Sequence, residues 1–553
     1  MLNKILLLVA IFFLNSNKFV IANNMSDIFL DHSMLNAKVN NTNNTNTINT
    51  PNNSLNKITE LPELGDFDRS LLSPSDAEFL GKNIILQLYA TNQILDDYDT
   101  TYYLTNLGDE LLNYSNISDH ELSLYLLQPN ILNAFALPGY FICVYNGLLY
   151  NVDSEAELVS VLAHEISHIA LHHIFRNISN YNHSQLLSIA GLLAGIVVAS
   201  VDPNMGLLVT NGTYSYAIQN MLAFSRSFEQ EADRLGQKIM YFANYDPQAM
   251  AQFFAKLQLL SQFDNQQQLS FLNTHPVTAL RLSEATQRAM QLVNNNTSDV
   301  IRNNNSFKNN SISFLLIKEK SRVRYLGNKK ALEFYKNILL NSKMNNQESF
   351  SKNKNYIATN QKQLDFIYYG LALVYNNLRL YNEAETSIIK VSQSVTQNPI
   401  IQSLKINILI NLNKYNEAQK LVKNAIDYYP EYFSLYLLEV DLLIKSNQIQ
   451  QATQLLETLA LKFNNHNELW GRLAMLYSDA NLDNKIKYHY ALAQQLFLLM
   501  NYKDALLQYT KALDLIQKNN ITKDNNYFNL ANIITSKISE INSLEQLYKD
   551  IKK

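Results

Sequence analysis

Cysteine is nearly missing from this chain: Cys143 is the only one in 553 residues, so no disulfide can form within it and no cysteine follows the amino-terminal segment to carry a lipid. Glycine (13) and proline (10) are scarce, which disfavours a turn-rich sheet protein and favours a mainly α fold. Charge of one sign is lacking too. A formal net charge of -3 gives no electrostatic basis for binding nucleic acid, and no motif that reads DNA or RNA is present. Apolar residues are plentiful at 47%, and at roughly 150 residues per domain the chain should divide into two to four units.

The first residues, MLNKILLLVAIFFLNSNKFVIANN, place Lys4 before an apolar run from Ile5 to Leu14 and a small-residue site at Val20-Ile21-Ala22. This pattern predicts a signal peptide over 1–22, cleaved after Ala22, because the apolar run is about half of what a membrane span needs. Residues 23–60 carry an Asn-rich, aperiodic stretch that cannot bury enough surface to offset its ordering entropy, and read as a disordered leader. A second Asn-rich stretch, 293–313, separates two strongly periodic regions and reads as a linker between a domain over 61–292 and another over 314–553.

The second region repeats. Tyr381-Asn-Glu-Ala384 recurs as Tyr415-Asn-Glu-Ala418 and then as Ile449-Gln-Gln-Ala452, at intervals of 34 residues. Tyr368, Leu371, Ala372 and Tyr375, then Val422, Ala425 and Pro430, then Trp470, Leu473, Ala474 and Tyr477 complete a tetratricopeptide pattern of stacked helix pairs with a concave groove. MNYKDALLQYTKAL, with Tyr502, Ala505, Tyr509 and Ala512, breaks the spacing and reads as an off-register or capping unit.

The densest chemistry lies in VLAHEISHIALHH, residues 161–173. Ser154-x-x-Glu157 forms a capping box that opens a helix expected to run to about Arg176. His164 and His168, four apart, share one face and suit zinc, while Glu165 stands one step away, where it can polarise a metal-bound water. Val161, Leu162, Ile166 and Ile169 make the helix a buried one. His172 lies about 12 Å along the axis from His164, too far to share its ion, so His172 and His173 read as solvated or supporting residues. A third ligand is expected from SRSFEQEADRLG: Glu229 and Asp233 share a face, one to bind and one to orient a histidine, with Glu231 the competing ligand. Leu171 and Ile174 stand where a metzincin would need glycine and histidine.

In this order NAFALPGYFICVYNGLL, VLAHEISH, SRSFEQEAD and THPVTALRL resemble the gluzincin metallopeptidases that include HtpX, Oma and the CAAX prenyl protease. With its export pattern and repeats, the chain is most similar to the BepA-like branch, zinc proteases and chaperones of the Gram-negative periplasm. The resemblance implies an α+β peptidase domain with a small β-sheet beside the HExxH helix, followed by an α-helical repeat solenoid. It also implies one Zn2+ per chain on His164, His168 and Glu229, Glu165 as general base, Asp233 supporting a ligand, and His275 able to approach the zinc and hold the site closed. Unfolded or misassembled proteins are the implied substrates, and the outer-membrane assembly (BAM) complex an implied partner. Arg281 either stabilises an oxyanion or pairs with an acidic residue.

Two departures stand out: Tyr140 follows Gly139 where paired glycines are usual, which puts that turn in question, and Ser167 replaces a common glycine. The stretch from Tyr140 to Tyr145 is expected to flank the cleft as an edge strand, to which an extended substrate could add. Residues 184–201, uncharged and holding Gly191-x-x-x-Gly195, read as a buried or site-covering helix in preference to a membrane span, with peripheral membrane contact as the further option. Three functions remain open: an exported endopeptidase, a chaperone or adaptor with a latent site, and a membrane-embedded relative.

Overall fold

A computed structural model of the chain describes residues 74–178, 225–263, 271–295, 306–344, 361–477, 481–499, 501–519 and 525–551. The expected signal peptide, leader, apolar segment 184–201 and residues 296–305 of the linker lie outside the described residues. Two helices, α1 (Pro74–Ala90) and α2 (Tyr98–Leu112), precede a small sheet of β1 (Ser123–Leu127), β2 (Ala134–Leu137) and β3 (Phe141–Tyr145). Then follow α3 (Asn146–Asn151), α4 (Glu155–Ala170), α5 (His173–Ile178), α6 (Arg226–Phe242), α7 (Gln248–Phe263), α8 (Phe271–Thr274) and α9 (Ala279–Asn295). The remainder is helical, so the fold is mainly α, as composition and repeats imply.

The sheet order is β1-β3-β2, with β1 parallel and β2 antiparallel to β3. This corrects the expectation of an edge strand over Tyr140–Tyr145. SLYLL at 123–127 pairs with the far side of β3, so FICVY is the central strand, buried at every residue, and the edge nearest α4 is β2. A central strand reads as a continuous apolar run because both faces are covered. The turn into β3 uses Gly139 at φ 85° and Tyr140 at φ 65°. A Cβ on Gly139 would fall 2.6 Å from the Glu78 Cα, so glycine is required there. Tyr140 keeps the turn without a second glycine, at a cost of about 1–2 kcal/mol for the left-handed backbone, and its ring stacks on His120 at 4.3 Å.

Helix α4 opens as expected: the Ser154 Oγ accepts the Glu157 amide at 3.2 Å, and the Glu157 carboxylate accepts the Asp153 amide at 2.8 Å. It does not run to Arg176. It ends at Ala170, His172 adopts φ 53°, and α5 restarts at His173 in a new direction. Helix α6 lies against α4 at Gly236, where a Cβ would stand 3.3 Å from the His164 backbone nitrogen. The absence of a side chain there lets the two helices that carry the candidate ligands close on each other.

The boundary between the two regions is tighter than the expected linker over 293–313. Helix α9 continues to Asn295, the Lys308 amide donates to the Asn244 carbonyl at 2.9 Å, and Asn310 and Ser311 reach the first turn of α4. There the buried Glu155 carboxylate accepts the Ser311 amide (2.6 Å), the Ser311 hydroxyl (2.7 Å) and the Tyr103 hydroxyl (2.7 Å), while Asn310 accepts the Glu155 amide at 2.8 Å. Next come α10 (Ile312–Leu326) and α11 (Asn328–Met344), then the repeats: α12 (Gln361–Asn377) with α13 (Tyr381–Ile388), the short α14 (Gln393–Thr396), α15 (Pro399–Asn411) with α16 (Tyr415–Tyr428), and α17 (Phe433–Lys445) with α18 (Ile449–Lys462). The array finishes with α19 (Asn467–Leu476), α20 (Leu482–Leu498), α21 (Tyr502–Lys518) and α22 (Asn525–Ile551).

Ala384, Ala418 and Ala452 are fully buried between paired helices. Arg379, Asn413 and Asn447, also 34 residues apart, each take φ near 60°. The following amide reaches back to Tyr375, Leu409 and Leu443 at 2.8–2.9 Å, the bond that closes a Schellman turn. The same bond, from Asn501 to Leu496, precedes the off-register unit, whose Ala505 is likewise buried. Among the described residues no helix is long and apolar enough to cross a membrane.

The repeats join the amino-terminal region at the start of α2. Lys320 of α10 donates to Asp97 at 2.6 Å and to Asp99 at 2.7 Å, Arg324 pairs with Asp97, and the Tyr432 hydroxyl donates to Asp99 at 2.9 Å. Tyr98 packs edge-on against Phe433, and Tyr102 against Tyr432. Burial alone would raise the Asp97 carboxyl, but the charges of Arg324 and Lys320 prevail and hold it below the usual carboxylate range. A depressed carboxylate contributes stability that is complete above its unfolded pKa of about 3.9 and is lost as pH falls from there through the folded value. Lys320→Ala should therefore destabilise the joined core by about 3 kcal/mol near neutrality, read as a lower urea midpoint, and flatten the stability loss on acidification below about pH 4. An unchanged midpoint would mean that the pairs are screened surface contacts.

Candidate metal centre

Two helices and a loop bring six side chains to one buried point. Helix α4 contributes His164, Glu165 and His168, helix α6 contributes Glu229 and Asp233, and the turn after α8 contributes His275; all six are almost wholly buried. The Nε2 atoms of His164 and His168 are 3.0 Å apart. Glu229 places Oε2 at 3.5 Å from the first and Oε1 at 3.4 Å from the second. His275 Nδ1 lies 3.0 Å from Glu229 Oε1 and 3.3 Å from His164 Nε2. One donor atom from each of His164, His168, Glu229 and His275 falls within 4.8 Å of all the others, a group that could hold a metal ion.

The surroundings fix these groups in place. Asp233 Oδ1 stands 3.1 Å from His164 Nδ1, leaving Nε2 to face the centre. Arg281 grips Asp233 with two bonds of 2.7 Å, reaches Glu229 Oε2 at 2.7 Å, donates to the Pro276 carbonyl and lies over the Phe254 ring. Between the two options for Arg281, the geometry shows the pairing with acidic residues. Glu165 Oε2 accepts the Ala136 amide of β2 at 2.9 Å, and its Oε1 is 3.5 Å from His275 Nε2. His275 is held by its own amide donating to the Phe271 carbonyl at 2.7 Å and by stacking on the Phe271 ring.

Burial opposes charge on every group here, and neighbouring charges decide which groups keep it. For Glu229 the three histidines, His275 foremost, overcome burial and leave its carboxyl well below the ordinary range. For Asp233, Arg281 does the same. Burial would depress the His164 imidazolium, but hydrogen bonding to Asp233 and Glu229 pushes it up to about 10. At His168 burial prevails and keeps the ring neutral. Burial also raises the Glu165 carboxyl, against the pull of His275 and His164. Two carboxylates facing three imidazoles in a dry interior form a donor set that favours a cation. Glu165 Oε1, buried and without a hydrogen-bond donor among the described residues, is one orphaned oxygen of the centre, and a water held there would satisfy it. The residues present therefore fit a divalent metal.

Two features escaped the sequence. The Ala136 amide has no side-chain signature at all. His173, grouped with His172, parts from it: His172 is exposed, whereas His173 is fully buried, with Nδ1 2.9 Å from His168 Nδ1 and Nε2 3.1 Å from Glu231. Glu231, the competing ligand, points away from the centre to His173 and Arg176.

Residues 99–289 match the model of peptidase family M48, and residues 409–476 match that of the tetratricopeptide repeat. The chain is 31% identical over 229 residues to the beta-barrel assembly-enhancing protease of Escherichia coli (strain K12), a stretch covering 41% of this chain and 47% of the relative. Identity to the protein of that name from Yersinia pestis is 32% over the same shares. The mitochondrial metalloendopeptidase OMA1 of Schizosaccharomyces pombe is 26% identical over 220 residues, 39% of this chain and 59% of the relative. The chain thus spans about half the length of the bacterial relatives it matches.

Because Arg281 pairs with two buried carboxylates, Arg281→Gln should destabilise the fold by about 3–5 kcal/mol. Arg281→Lys should recover little of this, since an ammonium cannot reproduce the fork on Asp233. Urea unfolding of both variants in the presence of a chelator checks it; full recovery by lysine would show that charge without geometry suffices.

Proposed function

From a chain that carries a peptidase family M48 domain followed by tetratricopeptide repeats, we propose an exported zinc endopeptidase of the periplasm that hydrolyses unfolded or misassembled envelope proteins. The repeats recruit clients or the outer-membrane assembly (BAM) complex, and the signal pattern before Ala22 supports export. The observation that carries this reading is the placement of a buried carboxylate, Glu165, beside three donors on two helices. His164, His168 and Glu229 would hold the zinc, whose Lewis acidity acidifies water and polarises a carbonyl.

The chain's own groups do the rest. Glu165, raised by burial, takes the proton of the attacking water and later delivers it to the leaving amine. Asp233, locked by Arg281, keeps His164 in the tautomer that presents Nε2. The edge of β2 turns the Ala136 amide toward Glu165 and away from β3, so an extended peptide laid along that edge competes for the same donor as it enters. Recognition through backbone bonds demands extension but little sequence, which suits unfolded strands.

His275 favours a second reading. Its Nδ1, 3.0 Å from Glu229 Oε1, stands among the candidate ligand atoms, where it would hold the site closed, and the repeats would then serve as a chaperone or adaptor over a latent protease. Purified protein and its Glu165→Gln variant, each assayed for zinc and for degradation of an unfolded β-barrel protein, separate the two. The enzyme reading expects about one zinc on both and cleavage slower by about 10²–10⁴-fold in the variant. Zinc on both with cleavage by neither favours the latent reading, and His275→Ala should then release activity.

A further inference from the structure

Helix α4 breaks at an odd place. A continuous helix would have carried residue 173 about 140° around the axis from residue 168, since five residues turn through about 500°. The break instead puts His172 into the left-handed region at φ 53°, a strained conformation for a residue other than glycine, and returns His173 to the side of His168. The ring of His173 then lies flat on Phe228, 4.5 Å between centroids with planes 6° apart, and the Arg176 guanidinium sits over that phenylalanine at 4.2 Å. The ring plane of His173 is thereby fixed as well as its position.

The atoms leave one consistent set of protons. His168 must present a bare Nε2 to the centre, so its proton is on Nδ1. That proton can be donated only if His173 Nδ1, 2.9 Å away, is an acceptor, which puts the proton of His173 on Nε2, aimed at Glu231 Oε2 at 3.1 Å. Arg176, at 2.7 Å, holds that carboxylate oxygen in place. We propose that His173 and Glu231 form a positioning relay that fixes the tautomer and ring orientation of His168 and makes it a stronger metal ligand. This rests on the zinc reading above. His164 has a carboxylate, Asp233, directly behind it, whereas His168 reaches its carboxylate through an intervening imidazole. Outer partners of this kind are worth about 10–100-fold in metal affinity.

Zinc affinity of the full-length chain, measured by competition with a chromophoric chelator, tests the relay. His173→Phe keeps the ring and its stacking but takes the Nδ1 acceptor of residue 173 away from His168 Nδ1; it should weaken zinc binding about 10–100-fold while the urea midpoint in chelator stays put. His173→Asn, whose Oδ1 stands where Nδ1 stood, should recover most of the affinity. Glu231→Gln, at a part-exposed position that tolerates change, should lose only several-fold. Wild-type affinity in His173→Phe would overturn the relay. So would equal losses in His173→Phe and His173→Asn accompanied by a lower midpoint in chelator, because His173 would then be a packing residue. A failure of the zinc reading shows differently: the wild-type chain itself would take up no zinc.

Discussion

Keeping two carboxylates, Glu229 and Asp233, ionised one turn apart in a dry interior is the constraint on which the rest of the site depends. An isolated buried carboxylate would neutralise itself by taking a proton, and a neutral Glu229 would be a poor ligand. Arg281 prevents this at Asp233 and also pairs with Glu229, whose charge the three histidines sustain, and its geometry requires that α9 reach over α6 just after the turn that carries His275. The positions of His275 and Arg281 are thus not independent: the Arg281 bond to the Pro276 carbonyl ties the turn to the guanidinium that balances the carboxylates. Close approach of α4 and α6 at Gly236 completes the arrangement, since a side chain there would push the histidines away from Glu229.

The same helix that carries the histidines is also where the two regions of the chain meet. Its first turn is closed by Glu155, which spends its carboxylate on Tyr103 from α2 and on Ser311 at the entry to α10. Helix α2 in turn receives Lys320 and Tyr432 at its own first turn. Three elements distant in sequence therefore share two carboxylate-rich helix starts, positions where negative charge is favoured by the helix dipole as well as by the cations. One apolar cluster holds residues from Tyr103 through Leu442, so the amino-terminal region and the first repeats are one packed body.

Much of this was legible from local chemistry. The helical period put His164 and His168 on one face and Glu229 with Asp233 on another, and the 34-residue period of Ala384, Ala418 and Ala452 fixed the pairing of the repeat helices. What stayed hidden depended on partners far along the chain. Tyr140–Tyr145 looks like an edge strand until β1 is known to pair with it, and an extended segment carries no mark of which neighbour lies on which side. The end of α4 is hidden for a related reason: Leu171 through Arg176 contains no glycine or proline to mark a stop, and only the tertiary bonds of His173 justify the break. The roles of Asn310 and Ser311 at the end of the expected linker are hidden because they look like the polar residues before them, although they are partners of Glu155.

Glycine scarcity returns here as a physical question, because a helical protein still needs residues at positive φ wherever helices turn. Among the described residues asparagine takes that role at 92, 244, 413 and 447, as its short polar side chain allows. Three other positions break the pattern: Tyr140, His172 and Arg379. Arg379 closes a repeat turn in register with Asn413 and Asn447, so its conformation belongs to the array. Tyr140 and His172 are different. The first sets the approach of β2 and β3, which carries the Ala136 amide to Glu165, and the second redirects the chain so that His173 meets His168. Each such residue costs on the order of 1–2 kcal/mol and is kept only where surrounding contacts outweigh it. The two that have no asparagine and no repeat to explain them flank the metal centre, on the strand side and on the helix side, which is where strain would be tolerated if the position of a ligand mattered more than the ease of the turn.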